Sequence, residues 1–149
     1  MSNLLLLSTI LILPLLASCQ DLSLDGYKIF KIKTNKNSTQ NISVSNDEKF
    51  ALKFESNPTT GYDWHLTTNF TAYNSSLIEF LNLDPQGGGQ YVSSSNGLIG
   101  GGGNTYFLLE SSDNNGTVSL NFTYQRIWEV QNSNNQQKRV DITVGDSEE

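Results

Sequence analysis

Val118-Ser119-Leu120-Asn121-Phe122-Thr123-Tyr124 decides the fold class, with a large apolar side chain at every second position and a small polar one between. Successive side chains of an extended chain point to opposite faces, so this stretch reads as a strand with one buried and one wet face. The same period recurs at Ile42 and Val44, at Phe50, Leu52 and Phe54, at Tyr62, Trp64 and Leu66, and at Val140, Ile142 and Val144. Tyr106 to Leu109 gives a further strand, and Asn, Ser, Gly or Asp closes each run, as turns require. Leu77 to Leu83 is apolar without clear alternation and fits a strand or a short helical turn; Tyr27 to Lys33 fits a first strand or an extended arm. Asp84 to Gly103 reads as one long loop, and no window after the first nineteen residues has the period of a long amphipathic helix. Short strands with regular turns predict an all-β antiparallel sandwich of about seven to eight strands.

The chain of 149 residues is long enough for one domain. Leu4 to Leu16 is almost wholly apolar but short, and Ser8, Thr9 and Pro14 interrupt it before the small residues Ala17-Ser18-Cys19. We therefore read residues 1–19 as a signal peptide, 20–36 as an N-terminal arm, 37–145 as the sandwich and 146–149 as an acidic end, with no transmembrane segment. Leu16-Ala17-Ser18-Cys19 also fits a bacterial lipobox, which would anchor the chain through an acylated Cys19, but Met1-Ser2-Asn3 carries no Lys or Arg. Six sequons, at Asn37, Asn41, Asn69, Asn74, Asn115 and Asn121, favour a glycosylating secretory route, although a chain this rich in Asn, Ser and Thr makes several by chance. The expectation is a secreted or lumenal (endosomal or lysosomal) monomer.

Cys19 is the only cysteine, so the domain has neither a disulfide nor a thiol nucleophile. A net charge of −6 disfavours nucleic acid and anionic membrane as partners. His65, the only histidine, stands beside Asp63, yet no serine sits in a nucleophile elbow or beside an oxyanion glycine motif, so no enzyme is expected. One histidine and scattered carboxylates lack metal-ligand spacing, and no metal or other cofactor is expected.

Asn57-Pro58-Thr59-Thr60-Gly61-Tyr62-Asp63-Trp64 is the most distinctive connection. Asn-Pro starts a turn, Pro58 fixes φ, and Gly61 permits a backbone shape that a Cβ would forbid. The result is a stiff corner that displays Thr59 and Thr60. Every second connection of an antiparallel sandwich emerges at the same end. Counted from Ile42–Val44, that end gathers this corner, the glycine strip Leu98 to Asn104 and the turn beginning Arg126-Ile127-Trp128. Asn69, Asn74 and Asn115 map to the opposite pole, and Pro58 blocks Asn57 as an acceptor.

These three stretches, in this order, resemble the chagasin-type inhibitors of papain-like cysteine proteases. The resemblance covers about Asn37 to Val144. Asn57 to Tyr62 with Trp64 matches the family's first motif fully, and Gly100-Gly101-Gly102-Gly103 after Leu98-Ile99 fits its G-x-G-G pattern. The third motif departs, because Ile127 stands where the family has proline between Arg126 and Trp128. The resemblance implies an immunoglobulin-like scaffold and a reversible, competitive inhibitor of cathepsin L-type enzymes. It also implies three loops (57–62, 98–104 and 126–128) that occlude the cleft, contacting it through Asn57, Pro58, Thr59, Thr60, Gly61, Tyr62, Leu98, Ile99, Gly100 to Gly103, Arg126, Ile127 and Trp128. The rival expectation is a secreted adhesion or carbohydrate-binding sandwich without inhibitory activity.

Overall fold

The computed structural model describes residues 21–34, 38–69, 76–94, 101–130 and 132–146. Nine strands run through them: β1 Lys28–Ile32, β2 Ser38–Val44, β3 Lys49–Ser56, β4 Asp63–Leu66, β5 Ile78–Phe80, β6 Gln90–Ser93, β7 Gly103–Ser111, β8 Gly116–Gln125 and β9 Gln136–Val144. One sheet has the order β1-β3-β7-β5, with β6 pairing the same edge of β7 nearer its start; the other has the order β2-β9-β8-β4. The two sheets face each other as an immunoglobulin-like sandwich.

The inner faces carry the alternating residues that the sequence marks. Phe54 of the first sheet lies 4.9 Å from Trp64 and 4.8 Å from Phe122 of the second, ring centre to ring centre. Phe107 packs on both Phe54 and Phe122, at 5.6 and 4.8 Å. These four rings are all but inaccessible to solvent. Each contributes about 1.5–3 kcal/mol relative to an exposed side chain, which is how a domain without a disulfide holds two sheets together.

Two features differ from the sequence reading. The sheets are mixed rather than purely antiparallel: β1 runs parallel to β3, and β2 parallel to β9. Alternation records which face of a strand is buried and carries nothing about the direction of its neighbour, so these two edge pairings were illegible. Residues 90–93 form β6 inside the stretch expected to be one long loop; Gly103 opposite Ser93 lets Tyr91 and the Val92 carbonyl approach closely, and the strand has no alternation of its own. Of the two forms open to Tyr27–Lys33 the chain takes the strand: β1 is part of the first sheet, and Leu22, Leu24 and Tyr27 cover Ala51, Tyr106 and Leu108 on that sheet's outer face.

Two devices close the open sides of the sandwich. Gln40 of β2 bridges to the end of β1, accepting from the Lys33 N–H at 3.0 Å and donating to the Lys31 carbonyl at 3.1 Å. On the other side, edge strand β4 is covered by the turn at Asp84–Gly88, with Leu66 N–H donating to the Gly87 carbonyl at 2.7 Å. Edge carbonyls and amides are thereby paired instead of exposed. Among the described residues no helix is long and apolar enough to cross a membrane.

Candidate functional site

Strand register builds the site. Ser56, the last residue of β3, pairs with Gly103, the first of β7, and Gly103 pairs in turn with Ser93, the last of β6. Asp63, the first residue of β4, pairs with Gln125, the last of β8. The connections 57–62, 94–102 and 126–135 therefore leave the same pole side by side. Leu98, Ile99 and Gly100 lie outside the described residues; Gly101 and Gly102 lie at this pole, and Gly103 is buried in β7.

The first loop is a single turn of 3₁₀ helix, Pro58–Thr60, ended by Gly61 at φ +81°. Gly61 N–H donates to the Pro58 carbonyl at 2.8 Å, and Asn57 holds both threonines, its Oδ1 accepting from Thr59 Oγ1 at 2.6 Å and its carbonyl from Thr60 Oγ1 at 3.1 Å. Thr59 and Thr60 are exposed at the summit. Beneath them, the Tyr124 hydroxyl accepts the Asn57 N–H at 3.2 Å while its ring stacks on Tyr62 at 5.6 Å.

Asp63 fixes the base of this loop. Its Oδ1 accepts from Ser56 Oγ at 2.7 Å, from Thr105 Oγ1 at 2.6 Å and from the Trp64 N–H at 2.7 Å, tying β4 to β3 and β7. Trp64 Nε1–H donates to the Glu55 carbonyl at 3.0 Å. The carboxylate beside the only histidine thus works as a structural hub, while the buried His65 faces the Asp84–Gly88 turn through a bridge to Gly88.

The second loop is pinned at its neck, where Ser94 Oγ–H donates to the Gly102 carbonyl at 2.7 Å and Ser94 N–H to the same oxygen at 3.2 Å. The third loop leans on the first. Arg126 Nε–H donates to the Thr60 carbonyl at 2.9 Å, its guanidinium lies 4.4 Å from the Tyr62 ring centre, and it pairs with Glu129 at 2.7 Å. The hydrogen bond to Glu129 holds the guanidinium's pKa above its ordinary value. Trp128 lies across Gly61, where an added Cβ would come within 2.6 Å of the indole ring. The ring nevertheless stays 69% exposed, and Ile127 and Val130 beside it are exposed at 48% and 93%.

All the described candidate residues therefore meet at one pole, but with different tasks. Thr59, Thr60, Ile127 and Trp128 point outward; Gly61, Tyr62 and Arg126 hold the loops to each other; Gly103 is internal. Sequence reasoning missed Asp63, Tyr124 and Glu129. Asp63 was weighed only as a neighbour of His65, and Glu129 left no more than an acid three residues after an arginine.

This is an immunoglobulin-like sandwich with three connections leaving one pole, where the hydroxyl-bearing tip of the first loop lies beside the apolar tip of the third. Residues 43–144 match the chagasin family of peptidase inhibitors, family I42, and the chain belongs to that family. It is an inhibitor of peptidases and not an enzyme. Among solved structures, PbICP-C in complex with falcipain-2 is similar at 20% identity with a TM-score of 0.55, over 78% of this chain and 98% of that one. Amebosin (23% identity, TM-score 0.47, 79% and 97% covered) and the Entamoeba histolytica cysteine protease inhibitor EhICP2 (17%, 0.47, 76% and 92%) are also similar. No curated protein matches the chain.

Proposed function

We propose that this pole acts as a blunt, reversible plug for the cleft of papain-like cysteine proteases of the cathepsin L type. Loop 57–62 lies over the catalytic centre, with loops 98–104 and 126–128 on either side. The single observation that carries this reading is the outward display of Thr59, Thr60 and Trp128 from two loops bonded to each other.

A protease substrate must lie extended so that its backbone N–H and C=O groups can pair with the cleft. Here the Gly61 N–H is already committed to the Pro58 carbonyl and the chain turns back on itself, so the first loop offers no extended segment. That supports occlusion without cleavage, and therefore competitive, reversible inhibition. The bonds that hold the first and third loops together before contact spare part of the ordering cost of binding, and an exposed tryptophan is among the residue types that most often dominate binding energy. The fold neighbour PbICP-C, which is in complex with falcipain-2, supports a protease as the partner.

Titration of papain and of a cathepsin L-type enzyme with the domain tests the reading. Stoichiometric loss of activity, reversed by dilution and by excess substrate, is expected; full activity of several such enzymes at micromolar inhibitor overturns it.

The same reading includes secretion or delivery to a lumenal compartment, with sugar on the faces away from the plug. Asn41 and Asn121 lie exposed on the outer face of the second sheet, and Asn115 lies at the opposite pole, where its Oδ1 accepts from Asn46 Nδ2 at 3.1 Å. Mass spectrometry of the protein from its own cells tests both points. A start near Gln20 with hexosamine on these asparagines is expected, and an acylated Cys19 overturns free secretion.

A further inference from the structure

Arg126 follows the last residue of β8, and its side chain folds back over the neighbouring loop instead of pointing away from the pole. Nε–H reaches the Thr60 carbonyl at 2.9 Å, the guanidinium lies on Tyr62 at 4.4 Å, and a terminal nitrogen meets Glu129 Oε1 at 2.7 Å. Glu129 returns a backbone bond, its N–H donating to the Arg126 carbonyl at 3.2 Å. The turn 126–129 is therefore closed twice by the same pair, once through the backbone and once through the side chains. A guanidinium presents its donors in a rigid planar fork, so meeting three neighbours at once fixes the turn against the first loop.

Ile127 occupies the first central position of that turn. Proline is favoured there because it presets φ, and isoleucine supplies no such restraint. The stiffness of the turn must come from elsewhere, and the Arg126–Glu129 pair is the contact that provides it.

We propose that Arg126 is a positioning residue and Glu129 its partner, which together fuse loops 57–62 and 126–130 into one surface. Arg126 acts through Thr60 and Trp128 and makes no contact with the protease. This deepens the inhibitory reading above, but half of its test does not depend on that reading.

The experiment uses the whole domain with Glu129→Gln, Arg126→Lys and the double variant Glu129→Gln/Ile127→Pro. Amide hydrogen exchange of the free protein is measured at Thr60, Gly61 and Glu129, and inhibition constants are measured against a papain-like protease. Thermal unfolding controls for global damage and should be nearly unchanged, since both side chains are partly exposed. Glu129→Gln should speed exchange at all three amides and weaken inhibition about two- to fivefold, the span of an exposed ion pair. Arg126→Lys, which keeps the charge and loses the fork, should do at least as much. Ile127→Pro should restore both readouts in the Glu129→Gln background by restoring a preset φ.

If Arg126 instead reached for an acidic group on the protease, freeing it from Glu129 would leave inhibition unchanged or tighten it. That result overturns the proposal, as does unaltered exchange or failure of the proline to rescue. Should the wild-type domain inhibit nothing, the inhibitory reading fails, and the exchange data alone then decide whether the clamp exists.

Discussion

Gly61→Ala is the sharpest test of how the pole is built, because two separate penalties meet at one atom. The residue sits at φ +81°, where an L side chain costs roughly 1–2 kcal/mol. The new methyl would lie 2.6 Å from Cη2 and 2.8 Å from Cζ2 of Trp128, well inside the roughly 3.5–4 Å at which two carbons rest. The indole is 69% exposed, so it can swing away without opening the core. The fold then loses only the backbone strain, which lowers the melting temperature by roughly 3–10 °C for a domain of this size. Inhibition loses more, because Trp128 leaves its place over the first loop. Truncating a residue that dominates an interface costs at least about 2 kcal/mol, or roughly thirtyfold in affinity. Paired calorimetry and inhibitor titration read the two effects separately. Gly102→Ala is the control, since its added methyl meets only the Ser56 carbonyl at an ordinary 3.6 Å and should leave stability unchanged. An alanine at 61 that melts and inhibits like the wild type refutes both the left-handed turn and the packing of Trp128 upon it.

Other consequences follow from the same contacts. Trp128→Ala should leave the melting temperature nearly unchanged while inhibition falls at least about thirtyfold, and a large drop in melting temperature instead would make the ring structural. Asp63→Ala removes the acceptor shared by Ser56, Thr105 and the Trp64 amide, and should cost about 1–3 kcal/mol in urea unfolding. Lys138 is 3% exposed, with its ammonium on Ser38 Oγ at 2.6 Å; burial, and then Lys33, holds its pKa below the ordinary 10.5. Between the folded and unfolded values the unfolded chain holds more protons, so this group's contribution to stability rises with pH across that interval. Lys138→Met should therefore melt higher than wild type near neutral pH, with a gap that narrows as pH climbs towards 10.5, and a gap independent of pH would refute the burial penalty.

Much of the scaffold was legible because a sandwich core writes itself at period two. Phe50, Leu52 and Phe54, then Val118, Leu120 and Phe122, are all inward and buried. Their order with Trp64 and Phe107 is enough to say which loops share a pole. Strand direction at the edges was not legible, since nothing in Ile42 or Val44 records that β9 runs alongside in the same sense. Strand β6 was hidden because Tyr91 and Val92 sit among serines and glycines, and the pairing is decided by Gly103 across the sheet. At the site, Thr59, Thr60 and Trp128 announced themselves by type and spacing. Arg126 announced itself too, but its direction did not: a residue type enriched at interfaces was turned inward by Tyr62 and Glu129, which the sequence places far away on one side and three residues along on the other.

The rigidity of the pole is borrowed from the barrier between the two sheets more than from the loops themselves. Strand β4 is only four residues long and lies at an edge, yet both ends of the first loop are anchored across the sandwich: Ser56 and Thr105 bind Asp63, and the Trp64 indole binds the Glu55 carbonyl. The Trp64 ring meanwhile packs on Phe54 and Tyr124, and the Tyr124 hydroxyl reaches up to the Asn57 amide. The loop cannot tilt without disturbing the aromatic core, whose close packing has little slack to give. None of the described residues of the third loop is buried, and it rests on the first through Arg126 and Trp128. Stability and function should therefore separate by depth: changes at Asp63 or Trp64 lower both, whereas changes at Glu129 or Trp128 reach only the binding face.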